Sequence, residues 1–219
     1  MKLTDLSLQI CEGMITFPVM WHPYVEVTQL GRFEVEGRET RKLILGTHSG
    51  THVDAPRHFI RNGVTIEKIP LNKFYGPAKL LDFSNLPDKA EINMKMMKDK
   101  LAGEKPNKIL IRYDWDERLS SMEYYTHHPF LSCDACQYLV DIGIDLIGFD
   151  APMPDNPLNG KGSSNDSPNH TIFLSAGVVI LEYLCNLKHI SNDKFIISAL
   201  PLSIKDGDGS PVRAIAIEE

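Results

Sequence analysis

The run from Gly46 to Phe59, Gly-Thr-His-Ser-Gly-Thr-His-Val-Asp-Ala-Pro-Arg-His-Phe, constrains this chain more than any other stretch. It places His48, His52, Asp54 and His58 at even positions within eleven residues. In an extended backbone alternate side chains share a face, so the four polar groups are expected to point the same way. A helix would also juxtapose His48 and His52, as in helical zinc motifs. Gly50 and the β-branched Thr47, Thr51 and Val53 disfavour a helix, and Pro56 holds Ala55 out of the helical region. The reading is a strand over 41–45 that runs into a loop carrying the ligands. Imidazole nitrogen together with carboxylate oxygen suits zinc, manganese or iron better than calcium or magnesium, which prefer all-oxygen shells. A polar loop with scattered histidines is the alternative.

At 219 residues the chain fits one α/β domain, 1–219, long enough to bury a substantial core. A net charge of -6 without any Lys/Arg cluster argues against a nucleic-acid or anionic-membrane surface. There is no apolar run of bilayer length, and the first residues lack the apolar core of a signal peptide, so a cytoplasmic location is expected. Cys11, Cys133, Cys136 and Cys185 are too few and too unevenly spaced for a disulfide framework, and reduced thiols are expected.

The N-terminal third reads as β-rich, with strands over 25–30, 32–36 and 40–45. Ahead of them 17–24, with two prolines and three aromatics, reads as a loop that places Trp21, either over the edge of the core or against a substrate. Further strands are expected over 78–83, 108–113, 145–149, 178–184, 195–200 and 212–217. Asp88-Lys-Ala-Glu91 resembles a capping box for a helix in which Ile92, Met96, Met97 and Leu101 form the apolar stripe, closed by Gly103. A second helix is expected to open at Ser132. Its Cys133 and Cys136 form a CxxC, but they also share a stripe with Leu139 and Val140, and packing is the favoured reading. The polar 114–118 reads as a solvated loop. The stretch that follows Asp155, to Asn169, is rich in Gly, Ser, Asn, Asp and Pro and has the composition of a lid or binding loop. His170 opens a short helix closed by Gly177, and Glu182 lies in the apolar strand beyond it. A carboxylate there requires a partner, a hydrogen bond or a metal. His170 and Glu182 can share a site only if the chain turns at Gly177, because a continuous helix would hold them roughly 18 Å apart.

His48-Ser-Gly-Thr-His52-Val-Asp54-Ala-Pro-Arg-His58 resembles the His-x-Gly-Thr-His-x-Asp-x-Pro-x-His signature of the cyclase family of metal-dependent hydrolases, which includes bacterial kynurenine formamidases. The resemblance extends over nearly the whole chain, through Ile147-Gly-Phe-Asp-Ala-Pro152, the spaced His170 and Glu182, Leu200-Pro-Leu-Ser-Ile and Gly209-Ser-Pro-Val-Arg213. It implies a swivelling β/β/α fold, a homodimer or higher homo-oligomer, and a site for two divalent cations, zinc or manganese. On that resemblance His48, His52 and Asp54 bind one metal and His170 the other, Asp54 and Glu182 contribute to both, and His58 is the proton donor and acceptor. The implied reaction is hydrolysis of a small-molecule amide, with N-formylkynurenine, a cyclic amide or imide, or a polyketide-type cyclisation as alternatives. A metal-binding module without catalysis is the non-enzymatic reading. Two departures bear on the substrate. Family formamidases tend to carry Trp-Pro-Gly-Asp where this chain has Trp21-His22-Pro23-Tyr24, and Asp-Thr-Pro-Ser where it has Asp150-Ala151-Pro152-Met153.

Overall fold

The computed structural model describes residues 1–218. In chain order the strands are β1 (Lys2–Asp5), β2 (Glu26–Gly31), β3 (Thr40–Ile44), β4 (His52–Asp54), β5 (Tyr75–Asp82), β6 (Glu91–Ile92), β7 (Lys108–Arg112), β8 (Phe130–Leu131), β9 (Leu146–Phe149), β10 (Val179–Glu182), β11 (Lys194–Ser198), β12 (Gly209–Pro211) and β13 (Ile215–Glu218). The helices are α1 (Phe33–Glu36), α2 (Met94–Leu101), α3 (Glu123–Thr126), α4 (Cys133–Asp141) and α5 (Pro168–Ser175). Among the described residues the main sheet has nine strands in the order β1-β13-β11-β5-β7-β9-β10-β4-β12. Strands β5, β7, β9 and β10 run parallel, joined by the crossovers that contain α2, α4 and α5. The remaining pairs are antiparallel.

Period-two alternation divides the buried side chains of the central strands between two cores. Ile109, Ile111, Ile147, Phe149 and Ile180 pack with Met97, Leu101, Cys136, Leu139, Phe173 and Leu174 of the helices. Leu110, Leu146, Val179 and Leu181 point the other way, toward Val53, Ile66, Phe74, Phe195 and Ile197. This parity positions the candidate site. Glu182 lies two residues beyond Ile180 and so faces the helix side, next to α5. Its antiparallel partner is His52, and Asp54 pairs with Ile180, whereas Val53 lies in the opposite core.

The α/β class and the β-rich N-terminal part hold, and the differences from the sequence reading are local. Residues 32–36 form the single helical turn α1 rather than a strand, ended by Gly37 in the left-handed region. Helix α2 is capped by Asn93, whose side chain accepts the Met96 amide, while Glu91 lies in β6 and Asp88 pairs with Arg118 instead. The capping box therefore fails because strand pairing with β8 claims Glu91 and Ile92. Ser132 does cap α4, and the CxxC divides: Cys136 is buried, but Cys133 is exposed at the first turn. The 114–118 segment is a 3-10 turn rather than a solvated loop, because Trp115 is buried and its indole N–H donates to the Tyr124 carbonyl at 2.9 Å. The strand expected over 212–217 is split: β12 precedes it and β13 takes its end.

Candidate metal centre

Four segments deliver the polar side chains. Strand β4 supplies His52 and Asp54 on its helix-facing side. The turn before it brings His48, and the 3-10 turn Pro56–His58 after it brings His58. The extended comb is thus real only for His52 and Asp54. His48 and His58 reach the same place through turns, which Gly50 at φ 60° and Pro56 at the start of the 3-10 turn permit. The fourth segment is α5 and β10. Gly177, at φ 73°, reverses the chain between them, and His170 Nε2 comes to 3.2 Å from Glu182 Oε1.

Asp54 is the hub. Its Oδ1 is 2.8 Å from His48 Nδ1 and 3.4 Å from His52 Nε2, and its Oδ2 is 3.5 Å from His170 Nε2. Glu182 Oε2 is 3.4 Å from His52 Nε2. Ligand atoms of His52, Asp54 and Glu182 lie within 4.8 Å of one another, and those of His48, Asp54 and His58 form a second such group that shares Asp54. All six residues proposed from sequence for the centre therefore converge. The grouping differs from the expected one in that His58 falls with His48, and His170 approaches Asp54 and Glu182 from α5.

The electrostatics suit a cation. Burial alone would drive protons off His48, His52 and His170, but the surrounding carboxylates outweigh it. His52 is held up at about 10 and His170 well above its ordinary range. The buried carboxylates thus favour positive charge on or beside the imidazoles. Burial would likewise raise Asp54, yet the charges on His48 and His58 hold it well below the carboxylate range. Asp54 Oδ2 and Glu182 Oε1 are buried without an aligned hydrogen-bond donor despite their proximity to His170. Two carboxylate oxygens left open among imidazole nitrogens suit a divalent metal with mixed N/O ligands.

Three further polar residues complete the surroundings, and none stood out in the sequence. Buried Asp155 accepts the backbone N–H of Asn169 at 2.6 Å and sits 2.5 Å from His170 Nδ1, so His170 presents Nε2 to the centre. Asp208 lies 2.9 Å from His48 Nε2 and 3.4 Å from His58 Nδ1, and it accepts the Thr47 hydroxyl at 2.9 Å. It reaches them because Gly209 has no side chain: a Cβ there would lie 2.8 Å from His48 Cε1. The run Asp206-Gly-Asp-Gly was legible only as a turn. His22 stacks on His48 with ring centroids 5.9 Å apart, and burial, followed by the charges on His48, His52 and His58, pushes it down to about 4. Asp155→Asn is expected to weaken metal binding about 10- to 100-fold, as loss of a carboxylate behind a ligating histidine does. Calorimetric titration of the metal-free variant measures this, and unaltered affinity would show that Asp155 does not orient His170.

The centre lies at the base of a cavity of about 260 Å³, walled by Phe17, Phe59, Tyr125 and Tyr183 and flanked by the 150–169 loop through Met153 and Lys161. Trp21 lines it while remaining 57% exposed, with Lys161 Nζ 4.2 Å from its ring centroid.

A cavity that ends on clustered imidazoles and carboxylates defines a metal-centred class of protein. The family model for "Putative cyclase" matches residues 4–156, and the chain belongs to the Cyclase family. It is 34% identical over 214 residues to the kynurenine formamidase of Bacillus anthracis, covering 98% of this chain and 96% of that one. A solved structure described as a predicted metal-dependent hydrolase from Bacillus stearothermophilus superposes with a TM-score of 0.78 at 28% identity, covering 98% of this chain and 97% of that one. The fold is also that of an isatin hydrolase solved with a product analogue, with a TM-score of 0.89, 24% identity and coverage of 98% and 91%.

Proposed function

We propose that this chain is a metal-dependent hydrolase that cleaves the carbon–nitrogen bond of a small amide other than a peptide, with an aryl formamide such as N-formylkynurenine as its substrate. The observation that carries this reading is the convergence of His48, His52, His170, Asp54 and Glu182 beneath a cavity that also presents His58. Two divalent cations, zinc or manganese, belong to the proposal. His48, His52 and Asp54 would hold one and His170 the other, with Asp54 and Glu182 contributing to both. The membership of Asp54 in both ligand groups supports a shared carboxylate. When bound, such cations supply Lewis acidity that polarises a carbonyl and makes water acidic near neutral pH.

The chain's own residues do the rest. Asp208 holds His58 through Nδ1, which leaves Nε2 as the nitrogen that exchanges protons. Water adds to the amide carbonyl as His58 removes its proton. The C–N bond then breaks, and His58 returns the proton to the departing nitrogen, leaving an amine and a carboxylic acid that loses its proton to solvent. Phe17, Phe59 and Tyr125 give the ring of an aryl amide an apolar wall, and Trp21 would stack on it at the mouth.

A cyclic amide of the isatin type is a second reading, favoured by Met153, which lines the cavity where family formamidases tend to carry a hydroxyl. The proposal further takes the protein to be a cytoplasmic homodimer or higher homo-oligomer. Free Cys11, Cys133, Cys136 and Cys185 support the reducing location. Exposed Met20, Tyr24, Leu30, Phe33, Val35 and Leu43 on the 17–24 loop and the β2–β3 hairpin support self-association. Among the described residues no helix is long and apolar enough to cross a membrane.

Turnover of N-formylkynurenine by protein loaded separately with zinc and with manganese, against a metal-stripped control, tests the reading. The expected result is metal-dependent release of kynurenine with kcat/KM of about 10⁴ M⁻¹s⁻¹ or more. Turnover of isatin alone would select the second reading. Metal-loaded protein inert toward both and toward a wider amide panel would overturn hydrolysis altogether.

A further inference from the structure

The cavity holds one ammonium that the hydrolytic reading leaves without a task. Lys161, on the 150–169 loop, lines the cavity with its Nζ over the Trp21 ring at 4.2 Å. Among the described residues it forms no ion pair. The acid of that loop that faces the cavity, Asp166, accepts the Ser167 hydroxyl at 2.9 Å. A lysine free to extend into solvent loses side-chain freedom when it lies on a ring face, and the attraction of the ring quadrupole offsets that loss. The result is a positive charge held at the mouth, with the imidazole–carboxylate centre at the base and aromatic walls between them. An amide without an anionic group, such as isatin or formanilide, has nothing for that charge to contact.

We infer that Lys161, seated on Trp21, selects substrates that carry an anionic group on the aromatic ring away from the amide or on a side chain of that ring. The inference rests on the hydrolytic reading of the centre and adds to it the charge of the substrate. With the ring between Trp21 and the apolar wall and the amide directed at the base, the remote edge reaches the mouth. Lys161 is exposed, so its ammonium pairs with a carboxylate there as a surface pair does, with a modest and salt-sensitive attraction. Such pairing acts equally on ground and transition states, so it lowers KM and leaves kcat nearly alone.

The test compares 3- and 4-formamidobenzoate with formanilide, which lacks the carboxylate, using wild type and Lys161→Gln loaded with the same metal. Wild type is expected to prefer an anionic formamide. Lys161→Gln is expected to reduce that preference in kcat/KM about threefold, through KM, and Lys161→Arg to keep it. Added salt narrows the wild-type preference, as screening requires. Calorimetry with 3- and 4-aminobenzoate against aniline runs in parallel and needs no catalysis. If no formamide is cleaved, the formamide reading fails while the binding experiment still decides the role of Lys161. Equal binding of charged and neutral ligands by wild type overturns the inference. So does a preference that survives in Lys161→Gln, which would place the carboxylate on the metal centre.

Discussion

Asp54→Asn is expected to lose most of its bound metal and to lower turnover by about 10³-fold or more, the scale on which metal activation of water matters. The substitution keeps the shape of the side chain and one oxygen, so the loss isolates the charge. Asp54 is 1% exposed and lies within 3.5 Å of ring nitrogens on His48, His52 and His170. Among the described residues no other carboxylate approaches all three, and Glu182 cannot replace it because its own contacts are to His52 and His170. The same geometry sets a pH dependence. Carboxylates raise the affinity of these imidazoles for protons, and a metal must displace those protons to bind. Metal affinity is therefore expected to fall as pH drops from 8 to 6. Elemental analysis after dialysis, together with turnover of reconstituted protein, measures both effects. Asp54→Asn with full metal content and full turnover would remove Asp54 from the centre.

The centre was legible in sequence where its geometry follows from local backbone rules. Strand parity sets His52 and Asp54 on one face, and the need for a turn at Gly177 brings His170 back to Glu182. Asp155 and Asp208 obey no such rule. Asp208 meets His48 from 160 positions further along the chain, and only the pairing of β12 with β4 shows that it arrives. Its neighbours, glycines on either side, signal a turn, and nothing in them signals the close approach that Gly209 permits. The start of α2 was misread for a related reason: Asp88 and Glu91 have capping spacing, but β6–β8 pairing between distant segments overrides it. Propensity rules fail where long-range pairing claims the same residues. His58 was placed correctly near the centre, but its grouping with His48 and Asp54 leaves it two roles that sequence cannot separate.

Those roles predict opposite results for His58→Ala. As the proton carrier, His58 can be removed with the metal retained, and kcat is expected to fall about 10²- to 10⁴-fold, the usual contribution of general acid–base catalysis. KM should change little, because the lost interaction belongs to the transition state. As a ligand, its removal would instead release metal together with activity. The contacts favour the first outcome. His58 Nδ1 faces Asp208 at 3.4 Å, its ring lies against that of His48 at a 30° tilt with centroids 3.9 Å apart, and its side chain is 24% exposed, whereas those of His48, His52 and His170 are at most 8% exposed. A proton carrier must meet both substrate and solvent, and the most exposed imidazole of the cluster does so. Truncation also leaves room beside His48 for added imidazole, which should restore part of the lost kcat if only proton transfer has been removed. Measured metal content, kcat and imidazole rescue together decide the matter: metal retained with turnover lost and partly rescued assigns His58 to proton transfer, whereas metal and turnover lost together assign it to the metal.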